Sequence, residues 1–415
     1  MVAHETDLIA TIAIGLSAAF IGGLLARRLH LPTLVGYLLA GIAVGPFTPG
    51  VVADAELAPQ LSELGVILLM FGVGNHFSVS DLLAVRRIAV PGAIGQVTMV
   101  TALGAVLAWW WGWGWGTGLV LGLALSVAST VVLLRILEER GALDSFAGQV
   151  TVGWLVVEDL VVVLALVLLP TLAGPLGGVS PDASGDNLAV ILAVTIGKVA
   201  IFVALMLVAG VRIVPWLLQR IERTGSRELF ILATLSVAIG ITYGAAELFG
   251  ASFALGAFLA GVVVNESEVS HRAAEEALPL REAFAVLFFV SVGMLIDPVF
   301  LVDEIGRLLA VLAVVVVAKA LSAVVLVRLL GGSLQTGFTV AAGRAQIGEF
   351  SFILADVGYA LGLLPEAGRN LILAAALLSI VLNPLLFVGA GLAERWLGGQ
   401  SERAAERTAR TVATL

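Results

Sequence analysis

Short polar breaks punctuate this chain, and between them nearly every residue is apolar. A helix rises about 1.5 Å per residue and a bilayer core is about 30 Å thick, so apolar stretches of about twenty residues read as membrane spans. The pattern predicts spans near residues 8–26, 31–48, 60–76, 90–111, 117–139 and 147–172. Seven more follow near 188–211, 227–247, 250–265, 281–300, 305–330, 334–360 and 366–391. The expected fold class is an all-α polytopic membrane protein with about 13 transmembrane helices. Residues 1–391 form the membrane domain, and 392–415 read as a polar cytoplasmic tail.

Composition agrees, with 60% of the 415 residues hydrophobic and 13% charged. The start, "MVAHETD", lacks the basic residues of a cleavable signal, so the first apolar run is expected to remain as a span. Cysteine is absent, which excludes disulfides, thiolate metal sites and cysteine nucleophiles. His4, His30, His76 and His271 lie at span ends or in loops, and no residues show catalytic spacing, so neither an enzyme nor a cofactor is expected. Arginines such as Arg27, Arg28, Arg86, Arg87, Arg220 and Arg328 flank alternate loops, while Arg307 and Arg369 lie on the opposite side. Basic residues concentrate in cytoplasmic connections, which predicts an outside N-terminus and a cytoplasmic C-terminus in the inner (plasma) membrane. The loop "WWWGWGWGT" follows no strand, and its Trp residues read as an interfacial belt rather than a nucleotide loop.

The chain also resembles itself. "GYLLAG" at 36–41 matches "GAFLAG" at 256–261, "LLMFGVG" at 68–74 matches "LFFVSVG" at 287–293, and "ILEERGAL" at 136–143 matches "ILADVGYAL" at 353–361. The offsets of 220, 219 and 217 nearly agree and cover an odd number of spans, so the second copy runs inverted. Repeat one is expected over about 8–172, a linking helix over 188–211 and repeat two over 227–391. Under this offset Glu158 and Asp159 land on Ala375 and Ala376, and Lys319 on Ala102, so the scaffold is duplicated but the charges are not.

Glu158, Asp159 and Lys319 all fall near mid-membrane by helical rise, where an uncompensated ion costs about 2.5–3.5 kcal/mol or more. Such residues mark ion or proton paths, unless they form a purely structural pair. The only other lysine, Lys198, is read as locally structural. Two spans carry matching polar interruptions: Ser126, Ser129 and Thr130 in one, and Arg344, Gln346 and Glu349 in the other, with Ser129 aligned to Gln346. Paired interrupted helices point to a transporter's binding site.

Two neighbouring acids titrate as a coupled pair, so the site can hold protons or a cation but not comfortably both. Asp159 is expected to be the principal ligand of a monovalent cation and the proton carrier, with Ser129, Thr130 and freed carbonyls as further oxygen ligands. Glu158 is expected to set the charge balance, and Lys319 to pair with a carboxylate when the cation is absent. A gated cation channel is the competing class, although a lysine beside the acids opposes free cation flow.

The ordered motifs "GYLLAGIAVGP", "LGVILLMFGVG", "LALSVASTVVLLRILEER", "VEDLVVVLALVLLP", "FALGAFLAGVVVNES", "LFFVSVGMLID" and "GRAQIGEFSFILADVG" resemble the cation:proton antiporter-2 family, most closely its Kef-type potassium:proton branch. The resemblance spans nearly all of residues 8–391. It implies two inverted six-helix repeats with crossed discontinuous helices, homodimers in the lipid bilayer and elevator-like alternating access. It implies exchange of potassium, or alternatively sodium, for protons, with no cofactor and no nucleic acid partner. It puts the family's aspartate on Asp159, its acidic neighbour on Glu158 and its paired lysine on Lys319, and the unwound segments on Ser129 to Thr130 and Arg344 to Glu349. Many relatives have Asp-Asp, Asn-Asp or Gln-Asp where this chain has Glu-Asp. Kef-type proteins often continue into a cytoplasmic nucleotide-binding domain; these residues contain no G-x-G-x-x-G fingerprint, so that regulatory domain is expected to be missing here.

Overall fold

The computed structural model describes residues 4–29, 31–49, 57–75, 79–143, 145–179 and 188–413. His30 and His76 lie outside them. All regular structure among the described residues is helical, in the order α1 His4–Arg28, α2 Thr33–Val44, α3 Leu57–Asn75, α4 Val79–Trp110, α5 Trp115–Ser126, α6 Thr130–Glu139 and α7 Phe146–Leu172. Then follow α8 Leu188–Leu205, α9 Val211–Glu222, α10 Arg227–Phe249, α11 Phe253–Asn265, α12 Ser270–Met294, α13 Pro298–Asp303, α14 Ile305–Leu312, α15 Lys319–Leu329, α16 Leu334–Arg344, α17 Glu349–Ala360 and α18 Glu366–Ala413. Eight helices among the described residues are long and apolar enough to cross a membrane, and shorter apolar ones include Thr33–Val44, Trp115–Ser126 and Phe253–Asn265. Large apolar side chains such as Phe20, Trp109, Leu248 and Leu385 stand exposed, a surface suited to lipid rather than water.

Each of the thirteen predicted segments is met by helix, with some boundaries moved. The segment at 188–211 extends through a π-helical turn, Met206–Gly210, to Glu222. The one placed at 281–300 begins earlier, at Ser270, because "SHRAAEEALPLREAF" is too charged for a hydropathy window yet rich in helix formers. The final helix continues past 391 to Ala413. The two segments flagged for polar interruptions are both broken, at 127–129 and 345–348.

Two compact units divide the chain. The first comprises Met1–Val79, Leu160–Glu304 and Asp356–Leu373. Within it, α2 packs on α12 and α11 on α3. The glycines of the repeated motifs permit both contacts. A Cβ on Gly41 would lie 2.8 Å from the Gly293 Cα, and one on Gly261 would lie 3.0 Å from the Gly74 carbonyl carbon. Since Gly41 and Gly261 are repeat counterparts, as are Gly74 and Gly293, the same close approach is built twice.

The second unit comprises Ser80–Asp159, Ile305–Ala355 and Ala374–Leu415, and holds Glu158, Asp159, Lys319, Arg344 and Glu349. Its core surrounds the first half of α7: Trp154 packs with Val85, Ala89 and Ala93 of α4, Ala323 and Val327 of α15, and Val340 and Ala341 of α16. Gly92 makes room, since a Cβ there would collide with the Trp154 ring. A neighbouring cluster joins Leu155 to Ala128, Leu133, Leu137, Ala342 and Phe387. These layers fix the turn of α7 that carries Glu158 and Asp159.

Candidate ion-binding site

The site is built where two broken helices meet. The chain leaves α5 at Ser126, turns extended at Val127 and re-enters a helix at Thr130, with the Ser129 hydroxyl accepting the Val132 N–H at 3.3 Å as an N-cap. The second break runs from Ala345 to Gly348. The two breaks bond to each other: the Gly348 N–H donates to the Val127 carbonyl at 3.2 Å. A Cβ on Gly348 would sit 2.5 Å from the Ala128 backbone, so this approach needs glycine. From α18, the Ser379 hydroxyl accepts the Ile347 N–H at 3.1 Å and the Asn383 amide donates to the Ala342 carbonyl at 2.8 Å. The Ser351 hydroxyl donates to the Ala124 carbonyl at 2.6 Å.

Such breaks expose the last carbonyls of α5 and α16 and the first N–H groups of α6 and α17. Lys319 meets the carbonyls. It follows a π-helical turn, Ala313–Ala318, and its Nζ donates to Leu125 O at 3.2 Å, Val127 O at 2.9 Å and Gln346 O at 2.9 Å. This corrects the expected pairing of Lys319 with a carboxylate. The ammonium is fully buried and its three donors are taken by helix C-terminal carbonyls, which a cation suits.

Arg344 makes the pairing instead. It forms a buried ion pair with Glu158, and its Nε donates to Gln96 Oε1 at 2.8 Å. The other Glu158 oxygen accepts the Trp154 indole N–H at 3.1 Å. Gln96 closes the network by donating to the Lys319 carbonyl at 2.7 Å and the Ser322 hydroxyl at 3.2 Å. Glu158 is thus hydrogen-bonded on one oxygen and ion-paired on the other.

Asp159 faces elsewhere, because residues i and i+1 of a helix point about 100° apart and do not share neighbours. Its Oδ2 accepts the Thr130 hydroxyl at 3.1 Å, while its buried Oδ1 makes no hydrogen bond. Glu349 opens α17, with its carboxyl beside the Ser129 hydroxyl and the Thr130 backbone and within electrostatic reach of Asp159. Neither Glu349 oxygen makes a hydrogen bond of good geometry. The structure therefore gathers Asp159, Thr130, Ser129 and Glu349 at the N-terminal ends of two half-helices, where anionic oxygens are favoured.

The remaining predicted residues separate from this group. Ser126 bonds back to the Leu123 carbonyl at 2.7 Å, within its own helix. Gln346 donates to Ser129 O at 3.2 Å and Gly343 O at 3.4 Å. Lys198 stands exposed on α8. Sequence reasoning missed Gln96, Trp154, Ser379 and Asn383. Gln96 and Asn383 carried a usable signal, as lone amides inside apolar runs.

The family model described as "Sodium/hydrogen exchanger, transmembrane" matches residues 16–388. The chain is 58% identical over 405 residues to "Putative cation/proton antiporter YbaL" of Escherichia coli, covering 98% of this chain and 72% of that protein. It is 32% identical over 406 residues to "K(+) efflux antiporter 4" of Arabidopsis thaliana, covering 96% and 67%. In fold it is similar to the sodium proton antiporter MjNhaP1 of Methanocaldococcus jannaschii, with a TM-score of 0.68 at 17% identity over 92% of this chain and 98% of that one.

Proposed function

Because this chain belongs to the sodium/hydrogen exchanger family, within its cation:proton antiporter-2 branch, we propose that it exchanges potassium for protons by alternating access at Asp159. It is a multi-pass membrane protein and a transporter rather than an enzyme. Potassium is favoured over sodium by the likeness to a plant potassium efflux antiporter. The plasma membrane, with the N-terminus outside and the C-terminus cytoplasmic, is favoured by the arginine distribution. A homodimer of chains, each with repeats over about 8–172 and 227–391, completes the reading.

One observation carries it: Asp159 is buried at a helix break with one oxygen on Thr130 and the other on nothing. A buried carboxylate with an unanswered oxygen calls for a proton or a cation. Ser129, Thr130 and the freed backbone oxygens would supply further hard ligands for a desolvated monovalent ion. Proton and cation then compete for one carboxylate, and their competition couples the two fluxes. Glu158, held by Arg344, contributes a neutral pair rather than a free charge. Lys319, bound to three carbonyls, holds the crossing together.

The test uses purified protein in liposomes with an imposed pH gradient. Adding potassium should release protons from the lumen with a lower KM than sodium does, and Asp159→Asn should abolish the response. Normal exchange by that variant removes Asp159 from the mechanism. Potassium flux without proton counter-movement points to a channel.

A further inference from the structure

Four ionisable side chains crowd this crossing besides Asp159, and three have their partners. Lys319, from α15, is committed to carbonyls of both breaks. Arg344, from α16, and Glu158, from α7, are committed to one another and to Gln96 and Trp154. Glu349 alone is buried to 2% exposure with no cation against either carboxyl oxygen, its near donors being the Ser129 hydroxyl and the backbone N–H groups of Thr130 and Glu349 itself, none in good hydrogen-bond geometry. It lies within electrostatic reach of Asp159, whose Oδ1 makes no hydrogen bond.

We infer that Glu349, rather than the sequence neighbour Glu158, supplies the second carboxylate of the ion site and ligates the transported cation together with Asp159. The inference rests on reading Asp159 as a cation ligand. Two buried carboxylates within electrostatic reach of one another need compensating positive charge. Neither nearby cation is paired with them: Lys319 is bonded to three backbone carbonyls and Arg344 is ion-paired with Glu158. A transported ion or bound protons must therefore supply that charge, which is the condition exchange requires. As the cation enters, the carboxyl protons leave to the open aqueous face, and as it departs they return. The Gly348 contact to Val127 holds the start of α17 against that of α6, so the Glu349, Ser129 and Thr130 oxygens arrive together. Hard oxygens on two rigid half-helices can close around a bare alkali ion better than one aspartate can.

Binding of rubidium to the purified protein in detergent tests this without requiring transport. Glu349→Gln is expected to weaken binding by about tenfold or more, and Glu158→Gln by a smaller factor. Binding retained in Glu349→Gln, or lost more in Glu158→Gln, overturns the assignment. Should Glu349→Gln not survive gel filtration, Glu349→Asp keeps the charge but draws it back by one methylene. That variant is expected to bind several-fold more weakly, and unchanged binding overturns the assignment equally. Asp159→Asn separates the two levels: if it binds rubidium as the parent does, the reading of Asp159 fails, whereas a defect there with Glu349→Gln intact sinks only Glu349.

Discussion

Gln346 donates through Nε2 to the carbonyl oxygen of Ser129 at 3.2 Å, and the two residues stand 217 positions apart, the offset that relates the matching helix breaks. Counterparts in direct contact sit where the two copies cross, so this bond closes the crossing at its centre. Gln346→Ala should leave the buried Gly343 carbonyl short of a donor and the Ser129 carbonyl with only the Leu133 N–H at 3.2 Å. The expected cost is about 1–3 kcal/mol. It is checked by thermal unfolding in detergent followed by tryptophan fluorescence, and a melting curve that matches the parent's would remove Gln346 from the framework.

Lys319 carries a larger share, because one ammonium answers three carbonyls from two breaks. Lys319→Met removes charge and donors together, and should destabilise the protein by several kcal/mol, at about 1–3 kcal/mol for each buried carbonyl left without its donor. Lys319→Gln keeps up to two donors and should fall between. The ranking parent, Gln, Met in unfolding temperature is the outcome to check. A Met variant as stable as the parent would mean the carbonyls find other partners.

Much of this was legible in the sequence, and the physics says which part. The spans were readable because the bilayer fixes their length, and Glu158, Asp159 and Lys319 stood out because ionised groups are expensive in lipid. The breaks announced themselves through Ser129, which became an N-cap, and Gly348, which allows backbone contact. Partner choice was not legible. Adjacent acids looked like one coupled site, yet helical geometry sends Glu158 toward Arg344 and Asp159 toward Thr130. Lys319 looked like the carboxylate's partner because nothing in the chain's order reveals that three orphan carbonyls converge on it.

The Glu158–Arg344 ion pair is sealed from solvent, so each partner alone is a liability. Glu158→Gln or Arg344→Gln should each cost roughly 3–5 kcal/mol by leaving the other charge uncompensated. The double substitution should cost less than the two singles summed, giving a coupling of about 0.5–3 kcal/mol between residues in contact. Unfolding of all four proteins under one set of conditions measures it. Strict additivity would show that the pair does not interact in the native state.

Gly348→Ala tests whether the approach of the two breaks matters for transport as well as folding. The added methyl would press on the Ala128 backbone at 2.5 Å and also on the Ser129 N–H at 2.7 Å. Neither is a flexible side-chain end, so the breaks must separate and the Gly348 bond to Val127 must lengthen. That movement would carry Glu349 and the Ser129 to Thr130 segment apart, with Asp159 still held to Thr130. Cation-driven proton release in liposomes should fall by about a hundredfold, on the scale that misplacing reacting groups by about 1 Å costs an enzyme. Gly362→Ala offers a contrast, because its φ of 65° strains alanine at the turn between α17 and α18, outside the unit that holds the helix breaks. It should lower the unfolding temperature while leaving the KM for the cation near that of the parent. If Gly348→Ala exchanges ions at the parental rate, the contact between the breaks is packing alone and the oxygens of the site need not arrive together.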